Sequence, residues 1–351
     1  MNEIDLRPVL DAYALGSVDK IATAGGTAGK TWKITTAAGD FFLRLRGVRT
    51  SSEARLHFDH GLRRHLVEGG VPTAAALPTQ DGEQWLRMDE GVYELYPFVE
   101  GRAFDPGRVE EVASAAGALA RYHQVAAEYG LLPRAKEDIA QYTTLGFSPS
   151  VSRRMDDPQL QLENMTAVRQ LAYSDEGRAL VDWCMERVRA MQQAYGGAAY
   201  EDLTGWVIHG DYTPANLLYS DAGEVVGIFD LDWALPGARC RDVADGLYFF
   251  ATRPRQIDAA DIWSLTGAAQ FDTERCALFL RAYQQVAPLR PEEIEALPWA
   301  FAGRWFSIRL EGMAKVDPGR RFEFFARDVE GPLRWLDEHW AGLAKGLGAA
   351  L

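Results

Sequence analysis

The sequence predicts an α+β chain of two lobes, a small antiparallel sheet leading into a larger, mostly helical part. Three observations carry this. Up to residue 98, short β-branched and aromatic runs alternate with small turn residues, the pattern of hairpins. Beyond residue 109, apolar residues recur at helical spacing over long stretches. Between those helices lies one β-rich island, Trp206 to Ala234. At roughly 100–200 residues per domain, 351 residues allow two domains or one large two-lobed unit.

The elements follow in chain order. Ile21 to Gly47 holds a glycine turn, a Thr- and Ile-rich run, a second turn at Ala38-Gly39-Asp40, and a strand from Phe41 to Arg46. Ser51 and Ser52 are N-cap candidates for a helix in which Leu56, Leu62 and Leu66 recur until Gly69-Gly70 stops it. Val71 to Phe98 reads as short strands broken by an Asp81-Gly82 turn. Glu110 to Gly130 is an Ala-rich helix with Val112, Ala116, Leu119 and Tyr122 along one side. Further helical patterns cover 177–195, 274–286, 291–316 and 332–344. The economical division is residues 1–95, a connection over 96–102, and residues 103–351.

Composition narrows the class. Apolar residues at 47% and charged residues at 25% are ordinary for a globular chain and exclude a disordered or collagen-like one. A net charge of -13 leaves no electrostatic footprint for nucleic acid or an anionic membrane. Three widely spaced cysteines, Cys184, Cys240 and Cys276, fit reduced thiols rather than a disulfide framework. The opening MNEIDLRPVL lacks the apolar region of a signal peptide, and no run approaches the ~18 apolar residues of a membrane span. The expectation is a soluble cytoplasmic protein without nucleic-acid or membrane partners; the pattern carries no signal for oligomeric state.

The strongest chemical signal is His209-Gly210-Asp211-Tyr212-Thr213-Pro214-Ala215-Asn216, followed by a hairpin that ends at Asp230. Two apolar runs, Leu217–Tyr219 and Val225–Phe229, flank the turn sequence Ser-Asp-Ala-Gly-Glu. Folding that hairpin brings Asn216 and Asp230 together at one end. A carboxylate and an amide oxygen suit a hard cation such as Mg²⁺, which takes few protein ligands and leaves room for phosphates. Asp211, on the loop that turns back over the same end, can accept a hydroxyl proton during attack on a phosphoryl group. With the hairpin so formed, Asp232 and Trp233, just past Asp230, face the cleft between the two lobes and are candidates for the substrate site.

The string HGDYTPANLL…GIFDLDWA…DVAD resembles the signature of the aminoglycoside phosphotransferase/choline kinase superfamily, whose members share the protein-kinase-like fold. The resemblance implies Asp211 as the catalytic aspartate, Asn216 and Asp230 as metal ligands, and Asp242 as a prop of the large lobe. It implies ATP, or another nucleoside triphosphate, and Mg²⁺ as cofactors. Residues 1–95 become the nucleotide-binding lobe, 96–102 the hinge, and 103–351 the catalytic and substrate-binding lobe. His209-Gly210 stands where protein kinases have His-Arg, which favours a small-molecule hydroxyl as acceptor.

In this fold a Gly-rich hairpin covers the nucleotide, and Gly25, Gly26, Thr27 and Gly29 occupy its place. Backbone N–H groups at such a turn can approach phosphates because glycine has no side chain in the way. The next strand supplies a cation to the phosphates, held by a helix glutamate; Arg44 and Glu53 stand at those places, with Arg46 on the same strand face as a rival. Tyr96-Pro97-Phe98 falls where the hinge presents backbone groups to adenine. An alternative is a relaxed Walker A loop over Ala24–Thr31, but the β-favouring Trp32–Thr36 follows where a P-loop opens a helix. AFAGRWFSIRL resembles the arginine-containing helix of the homoserine-kinase-like branch, which makes Arg304 and Arg309 acceptor-site candidates. The expected acceptor is an amino-alcohol or sugar. The alternatives are an aminoglycoside-type antibiotic, or no acceptor in a nucleotide-binding pseudokinase.

Overall fold

A computed structural model describes residues 5–24, 30–129, 158–196, 198–203, 205–252, 261–267 and 269–347. Its N-terminal part is a five-stranded antiparallel sheet of order β1-β2-β3-β5-β4, formed by β1 Val18–Thr23, β2 Lys30–Thr36, β3 Gly39–Leu45, β4 Leu86–Met88 and β5 Gly91–Pro97. The two-residue alternation of β3 sorts its side chains. Leu43 joins Ile34, Tyr93 and Leu95 in a core with Val9 and Leu10 of α1 (Arg7–Asp11). Arg44 and Arg46 instead turn to the carboxylates of the opposite face. α2, Glu53–Glu68, runs along that face, capped by the Ser52 side chain and ended at Gly69.

Residues 71–85 differ from the expectation: they hold no strand, and the break between strands is at Asp89-Glu90. Pro72 and Pro78 cannot donate to a ladder. Leu77 N–H nonetheless reaches the sheet, donating to the Leu95 carbonyl (2.7 Å). Asp81-Gly82 is a turn, as expected, with Gly82 at φ 87°.

The remainder is mostly helical. α3 (Val109–Ala127), α4 (Pro158–Leu171), α5 (Asp175–Tyr195) and α6 (Ala198–Glu201) precede β6 (Trp206–Ile208), β7 (Leu217–Tyr219), β8 (Val225–Ile228) and β9 (Leu235–Gly237). Then come α7 (Cys240–Phe250), α8 (Thr273–Val286), α9 (Pro291–Gly312), α10 (Arg321–Ala326) and α11 (Gly331–Lys345). The expected helices form, and the α+β architecture of small antiparallel sheet and larger helical part is the one observed. α7 escaped the periodicity argument because it is buried on nearly every side, so it shows no polar face. α3 packs on α8 and α7 on α9 in one large apolar core, which carries β6 to β9 at its edge. The three cysteines are buried free thiols. Among the described residues no helix is long and apolar enough to cross a membrane.

Candidate active site

The loop 209–216 leaves β6 and is fixed from below. Asp242, fully buried in the first turn of α7, accepts hydrogen bonds from the backbone N–H of His209 (2.6 Å) and Gly210 (2.9 Å). Gly210 is at φ 81°, and a Cβ there would lie 2.4 Å from the Trp233 carbonyl oxygen, so only glycine fits. His209 Nε2 bonds the Phe229 carbonyl (2.8 Å), tying the loop to the far strand of the hairpin.

Asp242 also meets His123 Nε2 (3.0 Å), while His123 Nδ1 meets the Tyr283 hydroxyl (2.7 Å). A neutral ring satisfies both by donating from Nε2 and accepting at Nδ1. Burial pushes the His123 pKa below its ordinary value, against the opposing pull of Asp242. The unfolded chain therefore takes up a proton near pH 6.5 that the folded one refuses, so stability falls as pH drops below that point. A series of urea midpoints from pH 7.5 to 5.5 should show a loss of up to about 1.4 kcal/mol per pH unit from this residue. His123→Gln should flatten the slope; a slope unchanged by that substitution would assign the loss elsewhere.

At the hairpin end, Leu217 pairs with Ile228, and Phe229 N–H donates to the Asn216 carbonyl (2.9 Å). Asp230 follows at once, so the expected meeting of Asn216 and Asp230 takes place. Asn216 Nδ2 donates to the Asp211 carbonyl (2.8 Å) and to Asp211 Oδ2 (3.1 Å), which leaves the Asn216 Oδ1 oxygen for another partner. Asp230 is at φ 57°, a left-handed conformation that Asp and Asn tolerate best among residues with a side chain. Its Oδ1 is buried without a hydrogen-bond partner, and burial, then the neighbouring Asp232, push its pKa up. A buried carboxylate oxygen without a partner, at the hairpin end that also carries the Asn216 amide, fits a hard cation. No cluster of three or more His, Cys, Asp or Glu suited to a metal occurs among the described residues. A cation here would complete its shell with ligand or water oxygens, as Mg²⁺ does.

Across the cleft the N-terminal part contributes a buried ionic network. Arg46 is fully enclosed, pairing with Asp59 of α2 and with Glu94 of β5 (2.8 Å). His60 also bonds Glu94 (2.9 Å). Arg44 keeps a slightly exposed side chain and reaches Asp232, which also accepts from the Thr50 hydroxyl (3.2 Å). Although burial opposes it, Arg44 and Arg46 hold the Asp232 carboxyl below its ordinary pKa. The expected Arg44–Glu53 pair is not formed. Glu53 opens α2 with its side chain 81% exposed, and among the described residues its ion-pair contact is with the His57 ring at 3.9 Å. The α2 carboxylate that serves the strand arginines is Asp59, and its arginine is Arg46. Asp232 is likewise placed at the lobe junction as the partner of Arg44.

Gly25, Gly26, Thr27 and Gly29 lie outside the described residues. The strand after them settles the Walker A alternative: Lys30 opens β2, and Thr31 donates its hydroxyl to the Ala24 carbonyl (2.8 Å), with no helix following. At the expected hinge, Tyr96 is buried with the Arg63 guanidinium over its ring. Phe98 N–H donates to the Asp40 carbonyl (3.0 Å). Pro97 has no N–H, so Phe98 continues the β3–β5 pairing, and its donor is taken within the sheet rather than left for a base.

On the helical side, α9 delivers Arg304 to the centre. Its guanidinium stands 3.5 Å from Asp211 Oδ1 and pairs with Asp245, which is fully buried on α7. Burial pushes the Asp245 carboxyl up to about 7, against the pull of Arg304. Arg309 is not at the cleft. It is fully buried and donates to the carbonyls of Phe325 (3.2 Å) and Arg327 (2.9 Å) at the end of α10. Five positions at 3.6 residues per turn place it about 140° around the helix from Arg304. Trp233 is 39% exposed, directly over Gly210. The loop 209–216, the hairpin end and one face of α9 thus converge on Asp211.

Comparison with known proteins supplies the context. The model of a family described as "Phosphotransferase enzyme family" matches residues 21–289. A homoserine kinase of Parvibaculum lavamentivorans is 24% identical over 333 residues, covering 90% of this chain and 87% of that one. Among solved structures, an aminoglycoside phosphotransferase of Alicyclobacillus acidocaldarius aligns with TM-score 0.66 and 15% identity over 99% of this chain and 98% of that one. The amicoumacin kinase hAmiN, solved in complex with AMP-PNP, Ca²⁺ and Ami, aligns with TM-score 0.65 and 15% identity over 94% of this chain and 92% of that one. The fold is that of these bilobal, protein-kinase-like phosphotransferases.

Proposed function

The chain belongs to the phosphotransferase enzyme family, and from that premise we propose that it moves the γ-phosphate of ATP to a hydroxyl of a small molecule with the help of Mg²⁺. The observation that carries this reading is the convergence of Asp211, Asn216 and Asp230 on one hairpin end, over a loop whose backbone Asp242 holds. Asn216 and Asp230 would hold Mg²⁺, which supplies charge neutralisation at the phosphates. Asp211 hydrogen-bonds the acceptor hydroxyl and takes its proton as the oxygen bonds to phosphorus and ADP leaves. Asn216 fixes the Asp211 carboxylate through the 3.1 Å bond, and Arg304 stands beside it, held by Asp245. With so little covalent work for the protein, positioning dominates.

The acceptor we favour is a small amino-alcohol carrying an anionic group, homoserine first. Arg304 beside Asp211 suits a carboxylate on the acceptor and opposes the crowded positive charge of an aminoglycoside. The homoserine kinases among the relatives point the same way. An ADP-release screen over homoserine, other amino-alcohols, sugars and aminoglycosides tests this. Turnover with homoserine-like acceptors is expected; turnover with aminoglycosides alone would replace the acceptor, and nucleotide binding without turnover on any member would make this a binding module.

The phosphate cation in this reading is Arg44, whose side chain borders the cleft, rather than the enclosed Arg46. Arg44→Gln, which keeps a polar partner for Asp232, should raise the ATP KM roughly 10–100-fold, the worth of a charge-assisted hydrogen bond. Lys30→Ala and Glu53→Ala, both at exposed positions, should stay within about twofold of wild type. Steady-state kinetics decide it: an essential Lys30 beside a dispensable Arg44 would move the phosphate site.

A further inference from the structure

Arg55 belongs to α2, yet its guanidinium crosses to the loop that carries Asp230. Its Nη2 donates to the carbonyls of Leu231 (3.0 Å) and Asp232 (2.9 Å), the two residues after Asp230. Its Nε lies 2.8 Å from Asp59 Oδ1, one turn along α2, and its side chain is 1% exposed. Asp59 in turn takes Arg46 from β3. The guanidinium is planar and enclosed beside that carboxylate, so its Nη2 donors point in a fixed direction. The carbonyls of consecutive residues point toward one nitrogen only where the backbone turns tightly. Here the 3₁₀ turn Leu231–Trp233, entered from the left-handed Asp230, supplies that turn.

We propose that Arg55 is a positioning residue for the metal–nucleotide site: by holding the Leu231 and Asp232 carbonyls it fixes the turn that aims the Asp230 carboxylate. Asp242 pins the Asp211 side of the cleft from below, and Arg55 pins the Asp230 side from α2. The placement of α2 is thereby coupled to the metal ligand without any contact between Arg55 and the metal. The proposal rests on the reading of Asp230 as a metal ligand.

The test is uptake of Mn²⁺ by the full-length protein in the presence of ADP, with free Mn²⁺ read by electron paramagnetic resonance, for wild type, Arg55→Lys and Arg55→Met. Metal-free ADP affinity is measured alongside by calorimetry. Arg55→Met should weaken Mn²⁺ binding roughly 10–100-fold, the usual effect of losing a group that orients a ligand, while metal-free ADP affinity moves less than about twofold. Arg55→Lys, whose ammonium can keep one carbonyl, should fall between. If Arg55→Met does not fold, Arg55→Lys carries the test, because it retains the charge and most of the volume. Unchanged Mn²⁺ affinity in the folded variants overturns the proposal, as does an equal loss of metal-free ADP affinity. A wild-type protein that takes up no Mn²⁺ with ADP overturns the metal reading of Asp230 itself, a failure distinguishable because it appears before any substitution.

Discussion

Asp211→Asn should reduce turnover by roughly 10²–10⁴-fold while leaving nucleotide affinity near wild type. The substitution preserves shape, so the bond from Asn216 Nδ2 to the Asp211 carbonyl and the hold of Asp242 on the loop both survive. What is lost is an oxygen that can take the acceptor proton, and the charge that faces Arg304 at 3.5 Å. In the proposed reading the nucleotide contacts belong to other residues, so the effect should appear in kcat and in kcat/KM for the acceptor. ADP titration by calorimetry should give the same affinity for both proteins. Near-normal turnover in the variant would remove Asp211 from the reaction.

The parts of the site that were legible in the sequence are those that local geometry decides. Asp211 and Asn216 share one short loop, and a tight hairpin joins Asn216 to Asp230, so spacing alone brings them together. The network facing them was not legible, because it is made by contacts between distant segments. The resemblance puts Glu53 at the place of the helix glutamate that holds the strand cation. An acid in the first turn of a helix instead faces solvent and favours the helix dipole. A usable signal did exist: Asp59 stands in the apolar stripe of α2, three residues after Leu56 and three before Leu62, where an ionised group must have a buried partner. Glu94 gives the same sign inside Val92-Tyr93-Glu94-Leu95-Tyr96. Asp245 carried no such mark, since its partner Arg304 comes from another element; the i,i+4 spacing of Arg55 and Asp59 was readable, but the carbonyls that Arg55 holds were not. Arg309 shows the converse error, a charged residue read toward the cleft when a helical wheel already turns it away from Arg304.

Asp230→Asn and Asp232→Ala should separate in both function and stability, although the two acids are two positions apart. Asn is the apt replacement at 230 because the backbone there is at φ 57°, where Ala would add strain of its own. Removing the Asp230 charge should abolish the Mg²⁺ dependence of ATP binding and lower turnover on the order of 10³-fold, the scale of charge stabilisation a metal supplies to a phosphoryl group. The same change should leave the fold as stable as wild type or more stable by roughly 1 kcal/mol, since a buried carboxylate oxygen without a partner is replaced by a neutral group. Asp232 is in the opposite situation. It pairs with the nearly buried Arg44 and accepts from Thr50, so Asp232→Ala leaves a cation without its partner at the lobe junction. That should lower stability on the order of 3 kcal/mol, while ATP binding stays Mg²⁺-dependent because Asn216 and Asp230 remain. Calorimetric ATP titrations with and without Mg²⁺, paired with thermal unfolding of each variant, give the four readings. Equal, small effects of both substitutions on Mg²⁺ dependence would mean that the end of the hairpin does not hold the metal.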